Sequence, residues 1–135
     1  IPVLNSDVGG GEYPYYLKSC AQILGEAEKK YSKQSIEEIY GEEWIEDNAE
    51  DFDKRIKTNI SHNKWLNFAD CINNGGTSRL FIDFDPGKKG VKGQVIRYLH
   101  DPDSYRVIAN SFDEYLENIM EEEYPFSSIY EEWDD

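Results

Sequence analysis

Two aspartates placed two positions apart, in the middle of the sequence, have types and spacing that suggest chemistry. Asp83 and Asp85 would lie on the same face of a strand, and paired carboxylates can bind a cation. A divalent cation needs several more oxygen ligands, and residues 87–93 do not provide them. We therefore predict no metal ion and no cofactor. The expected partners of the two carboxylates are nearby lysines: Lys88, Lys89 and Lys92.

A glycine- and lysine-rich loop and a histidine pair are the remaining candidates for catalysis. Residues 87–93 resemble a phosphate-binding loop, but they lack the spacing of that motif and precede a strand rather than a helix. His100 followed by Asp101 has the composition of a general base with its orienting carboxylate. No nucleophile can be named beside this pair, and a turn formed with Pro102 explains both residues. We predict a protein that is not an enzyme.

The cysteines point to structure rather than to redox chemistry. Cys20 and Cys71 are too few for a disulfide framework and do not form a CxxC motif. Each has apolar neighbours, and nothing in its surroundings marks a reactive thiol. We expect both thiols to be buried and unreactive.

Charge is distributed unevenly along the chain. The net charge is −14, with nine acids and no base in 35–53 and ten acids and no base in 111–135. The intervening residues, 54–110, carry ten bases and five acids. This balance disfavours phosphate-rich partners, because nucleic-acid binding depends on cations that neutralise phosphates. It is compatible with a basic protein partner.

The first acidic block supplies the candidate partner-binding surface. Eight of its acids are expected to face a basic partner: Glu37, Glu38, Glu42, Glu43, Glu46, Asp47, Glu50 and Asp51. The acids of 111–135 form a second candidate surface. The alternative interpretation is a solvated helix face, because acidic surfaces commonly serve solubility.

The acids of the first block lie on a predicted helix that begins after Ser35. Ser35 and Glu38 have the form of a capping box, and an apolar stripe follows at helical spacing. The stripe consists of Ile36, Ile39, Tyr40 and Trp44. Gly41 inside this helix weakens the prediction, since glycine costs roughly 1 kcal/mol relative to alanine in a helix.

The remaining segments predict strands and one further long helix. Strand-forming runs bounded by turn residues are 15–21, 64–69, 80–85, 93–99 and 105–109. Helix formers occupy 26–33, and a second capping box at Ser111 and Glu114 begins the final helix. The stripe of that helix is expected to face the sheet and consists of Phe112, Tyr115, Leu116, Ile119 and Met120.

The length of 135 residues is that of a single domain, 1–135. No apolar run approaches the roughly 20 residues of a membrane helix, and no signal peptide is visible, so we expect a cytoplasmic protein. The chain begins at Ile1 rather than at Met, so we expect an upstream segment to be missing. Residues 121–135 mix aromatic and acidic residues and are predicted to form a tail.

These segments together resemble the signature of the SUKH superfamily, the SMI/KNR-like proteins, over 35–119. The matching residues are Trp65, Phe68, Asp83, Pro86, Gly93 and Gln94. Asn67 stands where the family usually has proline, and the family's N-terminal helix is not evident before Tyr13. The resemblance implies an α+β fold with an antiparallel-rich, twisted β-sheet flanked by helices. We expect the matching residues to be structural, because residues that flank turns usually serve backbone geometry.

The resemblance also implies a function. The superfamily includes bacterial immunity proteins and yeast regulators of cell-wall synthesis. We therefore predict an immunity protein of a polymorphic toxin system, which binds and neutralises a cognate toxin. The expected partner is a basic, nuclease-like toxin domain, with no nucleic acid and no membrane as partners. The alternative is a regulatory scaffold or adaptor of the SMI/KNR type, and a bound metabolite or metal would indicate a third class, a ligand-binding or enzymatic domain.

Overall fold

The computed structural model describes residues 3–4, 15–71, 78–100 and 103–121. Almost all of the predicted tail lies outside these residues, as do Asp101 and Pro102 of the predicted turn. The helices are α1 (Cys20–Ala27), α2 (Ile36–Tyr40), α3 (Glu42–Asp47) and α4 (Phe112–Glu121). Among these described helices, none reaches the length and hydrophobicity that crossing a bilayer requires.

The strands form one antiparallel sheet whose spatial order follows the sequence. They are β1 (Val3–Leu4), β2 (Tyr15–Leu17), β3 (Trp65–Cys71), β4 (Ser78–Asp83), β5 (Gln94–Leu99) and β6 (Ser104–Ala109). The register of β3 against β4 shifts between Asn67 and Ala69, which marks a bulge in β3. This sheet and its flanking helices confirm the predicted α+β fold.

The predicted first strand is wrong at its C-terminal end. β2 ends at Leu17, and α1 begins at Cys20 because Ser19 caps it. The Ser19 hydroxyl accepts from the Gln22 N–H at 3.2 Å, and the Gln22 side chain accepts from the Ser19 N–H at 2.8 Å. Cys20 is therefore exposed on a helix, contrary to the prediction, whereas Cys71 is buried in β3.

The final helix forms as predicted and covers one face of the sheet. The Ser111 hydroxyl accepts from the Glu114 N–H at 3.0 Å, which caps the helix at its start. Tyr115 and Ile119 are buried against the central strands. The other buried residues of this first core are Tyr15, Phe68, Ala69, Cys71, Leu80, Val95 and Ala109.

A second core lies on the opposite face of the sheet. Its buried residues are Ile36, Phe52, Ile56, Trp65, Phe81, Ile96, Tyr105 and Val107. The first three come from the stretch that begins with α2 and ends before β3, and this stretch covers the second face as α4 covers the first. Residues 35–53, with their acidic side chains, therefore lie on the side of the second core.

Candidate functional site

The acidic segment, residues 35–53, consists of α2, α3 and a 3-10 turn at Ala49–Asp51. Its two helices meet at Gly41, whose φ of 87° and ψ of 149° interrupt the single helix that the sequence predicts. This backbone conformation is essentially restricted to glycine. The prediction of a continuous helix is therefore wrong at Gly41, and the apolar stripe of α2 does not extend into α3.

Most of the predicted partner-binding acids face solvent. The exposed ones are Glu38, Glu42, Glu43, Glu46, Asp47 and Glu50, while Glu37 and Asp51 are partly buried. Glu37 accepts a hydrogen bond from the Thr58 hydroxyl at 2.6 Å. Glu38 closes the predicted capping box by accepting from the Ser35 N–H at 3.2 Å. These two acids help to hold α2 in place, and the other exposed carboxylates point away from the core.

Apolar side chains and hydrogen bonds to β6 fix the acidic segment to the sheet. Ile36 and Phe52 are buried in the second core. At the end of the segment, Asp53 accepts from the Arg55 guanidinium at 2.7 and 2.9 Å and from the Val107 N–H at 3.0 Å. Burial opposes ionisation of Asp53, but these hydrogen bonds outweigh it and lower the pKa to about 2. The segment is therefore a fixed surface rather than a loose acidic loop.

Two large apolar side chains are exposed among these acids. Trp44 is 53% exposed and Ile39 is 40% exposed. The sequence places both in a buried stripe, which is wrong because Gly41 interrupts the helix before Trp44 and because Ile39 lies at the rim of a pocket. An accessible tryptophan is typical of residues that dominate the energy of protein interfaces.

A pocket of about 260 Å³, which we call the tyrosine pocket, lies beside α2 on the same side of the sheet. Its tyrosines are Tyr31, Tyr40, Tyr98 and Tyr105. Asp103 and Arg79 add one charge of each sign to its lining. The sequence does not predict this pocket, because its residues come from segments that are far apart in the chain and meet only through the sheet.

The polar groups of the tyrosine pocket are already connected to one another. The Tyr40 hydroxyl donates to Asp103, and His100 forms an ion pair with the same carboxylate when protonated. His62 Nδ1 lies 2.6 Å from the Gln34 carbonyl oxygen, which can only accept, so its Nε2 accepts from the Tyr105 hydroxyl at 2.9 Å. Burial lowers the pKa of His62 and favours its neutral form.

An ionic network lies behind the tyrosine pocket, between α1 and the sheet. The buried Glu26 carboxylate accepts from the Tyr31 hydroxyl and the Arg79 guanidinium, and Lys18 Nζ lies 3.5 Å from it. Lys18 Nζ also lies 3.2 Å from Asp70. Burial opposes ionisation of Glu26, but its hydrogen bonds and the nearby cations lower the pKa to about 2. The positive charge of Arg79 is therefore balanced by the carboxylates of Glu26 and Asp70.

The six residues of the predicted signature lie at three places. Trp65 is buried in the second core, and Phe68 is buried in the first. Asp83 ends β4 and Gln94 begins β5, and Pro86 and Gly93 lie in the connection between them. There, Asp83 accepts from the Asp85 N–H at 2.8 Å and from the Gln94 side chain at 2.9 Å, and Gly93 adopts a φ of 93°.

The chemical candidates of the sequence are not brought together into a catalytic or metal site. Asp85 pairs with Lys57 at 2.6 Å rather than with the lysines of 87–93, which corrects the prediction. His100 pairs with Asp103, while Asp101 lies outside the described residues. Within the described part of the chain, no group of three His, Cys, Asp or Glu side chains could hold a metal ion.

The antiparallel sheet and its flanking helices make this an α+β domain, and the acidic segment and the tyrosine pocket adjoin each other on one side of it. The chain belongs to the SMI1 / KNR4 family (SUKH-1), whose sequence model matches residues 7–118. This match confirms the resemblance inferred from the signature residues. The family is known for toxin-immunity proteins, and its domain is generally a non-catalytic fold that binds a toxin partner. No relative among curated proteins matches the chain.

Proposed function

We propose that this protein is a cytoplasmic immunity protein, which binds and neutralises a cognate bacterial toxin and performs no catalysis of its own. The observation that carries the proposal is the family match over residues 7–118. The exposed carboxylates of the acidic segment, with Trp44 among them, support a protein partner. The six signature residues have a structural role in this proposal, because they lie in the cores or close the β4–β5 connection.

A nuclease-like toxin domain is the partner whose chemistry best fits the acidic segment. Nuclease active sites are cationic because they hold phosphates, and a fixed row of carboxylates can occupy such a site in place of nucleic acid. Opposite charges accelerate association up to about 10⁸–10⁹ M⁻¹s⁻¹ at low salt. The net charge of −14 extends this attraction beyond the contact surface and disfavours direct binding to nucleic acid.

A protection assay tests the proposal. Bacteria that express a toxin domain encoded beside this protein should survive when the protein is co-expressed, and the purified pair should form a stable complex. A complex without protection would instead favour the second candidate, a regulatory adaptor of the SMI/KNR type. The SMI1 / KNR4 name of the matching family is the reason for considering this candidate. If the protein neither protects against nor binds any neighbouring toxin, that result would contradict the immunity role.

Charge reversal tests the acidic segment as the binding surface. Glu43→Lys with Glu46→Lys removes exposed carboxylates from α3, and stopped-flow measurements should show association with the toxin slowed roughly tenfold or more at low salt. The salt dependence should become shallower, because fewer charge pairs guide the encounter.

A matched control separates this local effect from total charge. Asp113→Lys with Glu117→Lys makes the same net change on exposed positions of α4, a helix that packs against the opposite face of the sheet. Both pairs also include one acid in the first turn of a helix, so the helix dipole is perturbed similarly. These two acids belong to the second candidate surface, so greater slowing by the α4 pair would place the interface there instead. Equal slowing by the two double variants would exclude the acidic segment as the specific surface.

A further inference from the structure

We propose that the tyrosine pocket binds a cationic side chain of the partner protein, with the planar guanidinium of arginine as the best fit. Calling that partner the toxin rests on the proposed function, whereas the ligand chemistry of the pocket does not. The proposal depends on the shape, the aromatic lining and the charge arrangement of the pocket, which are considered in turn.

The shape of the pocket suits a long side chain with an apolar stem. Phe81, Tyr105 and His62 line the pocket and are each less than 5% exposed, so they form its floor. Ile39, 40% exposed, contributes apolar surface at the rim. Arginine and lysine bury their methylene groups against such surfaces while the charged head contacts polar groups.

The aromatic lining suits a cation. Tyr98 and Tyr105 lie with ring centroids 5.0 Å apart, and Tyr40 meets Tyr105 edge to face at 6.3 Å. Burial raises the pKa of Tyr98 to about 12 and the pKa of Tyr40 and Tyr105 well above their usual value, so the rings are neutral at physiological pH. Neutral aromatic faces attract cations, and guanidinium groups stack on them.

Charges within and around the pocket favour a cation over an anion. Asp103, whose side chain is 22% exposed, adds a carboxylate to the lining. Arg79, whose side chain is 19% exposed, is engaged by Glu26 and lies over the Tyr31 ring at 5.0 Å. The adjoining acidic segment adds exposed carboxylates beyond the rim. Asp103 already accepts from the Tyr40 hydroxyl and pairs with His100 when that histidine is protonated. An incoming cation therefore meets a negative field outside and, inside, a carboxylate that it shares with these two partners.

Binding of single amino-acid derivatives to the ¹⁵N-labelled protein tests the pocket without a known toxin. N-acetyl-L-arginine amide should cause saturable NMR shifts at the amides of Tyr40, Tyr98 and Tyr105. N-acetyl-L-norleucine amide has an apolar side chain of similar reach and should bind at least about fivefold more weakly. N-acetyl-L-glutamate amide should show no saturable shifts at these positions.

Two variants should weaken arginine-amide binding by at least about fivefold while the protein stays folded. Asp103→Asn removes the charge and keeps an acceptor for the Tyr40 hydroxyl. Tyr98→Leu removes a ring and keeps an apolar side chain. Asp85→Asn is the matched control, because this carboxylate is 45% exposed and pairs with Lys57 outside the pocket. A dispersed spectrum for each variant shows that the fold is retained.

Several results would overturn the proposal: equal binding of the arginine and norleucine probes, preferred binding of the glutamate probe, or saturable binding of none. An unchanged affinity in Tyr98→Leu would do so even if Asp103→Asn failed to fold. These outcomes are distinct from failure of the proposed function, which appears as loss of protection. A pocket that binds arginine in a protein that protects against no toxin would contradict the immunity role and leave the pocket's chemistry in place.

Discussion

At the scale of single residues, Asp83 holds the β4–β5 connection together. It is fully buried, and donors from Asp85 and Gln94 converge on its two carboxylate oxygens at 2.8 and 2.9 Å. Its carbonyl oxygen accepts from the Gly93 N–H at 2.6 Å. Gln94 extends the connection by donating to the Arg55 carbonyl at 3.0 Å. Burial raises the pKa of Asp83, and the hydrogen bonds from the Asp85 N–H and the Gln94 side chain oppose that shift.

Asp83→Asn should destabilise the protein by about 2 kcal/mol, measured as the free energy of unfolding in urea at pH 7. An asparagine offers one acceptor oxygen, so one buried donor would face the new NH₂ group. Asp85→Asn is a control at a 45%-exposed carboxylate, and it should change stability by less than about 0.5 kcal/mol. Similar values for the two substitutions would show that the converging donors do not matter.

Which residues could be predicted at this scale depended on how local their partners are. The signature marked Asp83 and Gln94, and the flanking turn residues marked the β4–β5 connection. The partner of Asp85 could not be found in this way, because Lys57 lies 28 positions earlier and the two side chains are brought together by tertiary structure. Proximity in sequence to three lysines was therefore a poor guide.

At the scale of elements, Gly41 separates α2 from α3 and sets the outward face of the acidic segment. A general helix scale predicts that alanine at this position would stabilise the chain by roughly 1 kcal/mol. The observed φ of 87° reverses that expectation, although nothing lies within 4 Å of the site of a Cβ atom. We expect Gly41→Ala to lower the free energy of unfolding by about 1–3 kcal/mol.

Gly25→Ala is the matched control, because Gly25 lies within α1, has no positive φ and leaves open space for a Cβ atom. This substitution should raise stability by about 0.5–1 kcal/mol, so the two alanine variants should move the urea midpoint in opposite directions. Stabilisation by both would mean that α2 and α3 can join into one helix at little cost.

The elements that were predicted correctly carry their own local signals. The capping box at Ser35, the N-cap at Ser111 and the alternation in β4 need no distant contact to be recognised. Apolar residues near Cys20 predict a longer first strand than the one that forms, because their signal outweighs that of the Ser19 cap. The pattern around Gly41 does not predict the helix break, because a glycine within a helix can be merely unfavourable. Trp44 is predicted to be buried only if the helix continues through Gly41, and it is exposed because the helix does not.

At the scale of the whole molecule, the ionic network around Glu26 joins α1 to the sheet. Lys18, Arg79 and Asp70 come from three other segments, so their contacts with one another could not be predicted from local patterns. For the same reason the tyrosine pocket was not foreseen, whereas the acidic surface beside it was visible in the charge pattern alone. The ionic network and the tyrosine pocket depend on residues that are far apart in the chain, whereas the acidic surface depends on composition within one segment.

The titration of this network predicts how stability depends on pH. Glu26 has a pKa lowered from 4.5 to about 2, so its stabilisation is complete above pH 4.5 and is lost as the pH falls toward about 2. Asp53 behaves in the same way from 3.8 to about 2. His62, with a pKa lowered by burial, adds a loss that begins below 6.5. Urea unfolding between pH 7 and pH 2.5 should therefore show a continuous decline in stability.

Glu26→Gln should remove part of that acid-dependent loss. At pH 7 it should cost about 3 kcal/mol, because Lys18 and Arg79 lose their buried carboxylate partner and keep the more exposed Asp70, and below pH 4.5 the difference from the unmodified protein should shrink. Glu28→Gln is the control two residues away, since that side chain is 81% exposed. A constant difference across the pH range would show that Glu26 is not the titrating group.

The acidic segment contributes to the protein interior through a few inward side chains, chiefly Ile36, Tyr40, Ile45 and Phe52. Its solvent-facing positions have little part in packing, so they can be rewritten without repacking either core. Under the binding surface proposed above, such a division would let specificity drift quickly while foldability is conserved. It would then also let an engineer retarget the domain by exchanging the outer residues of α3 alone, leaving Gly41 and the inward anchors untouched.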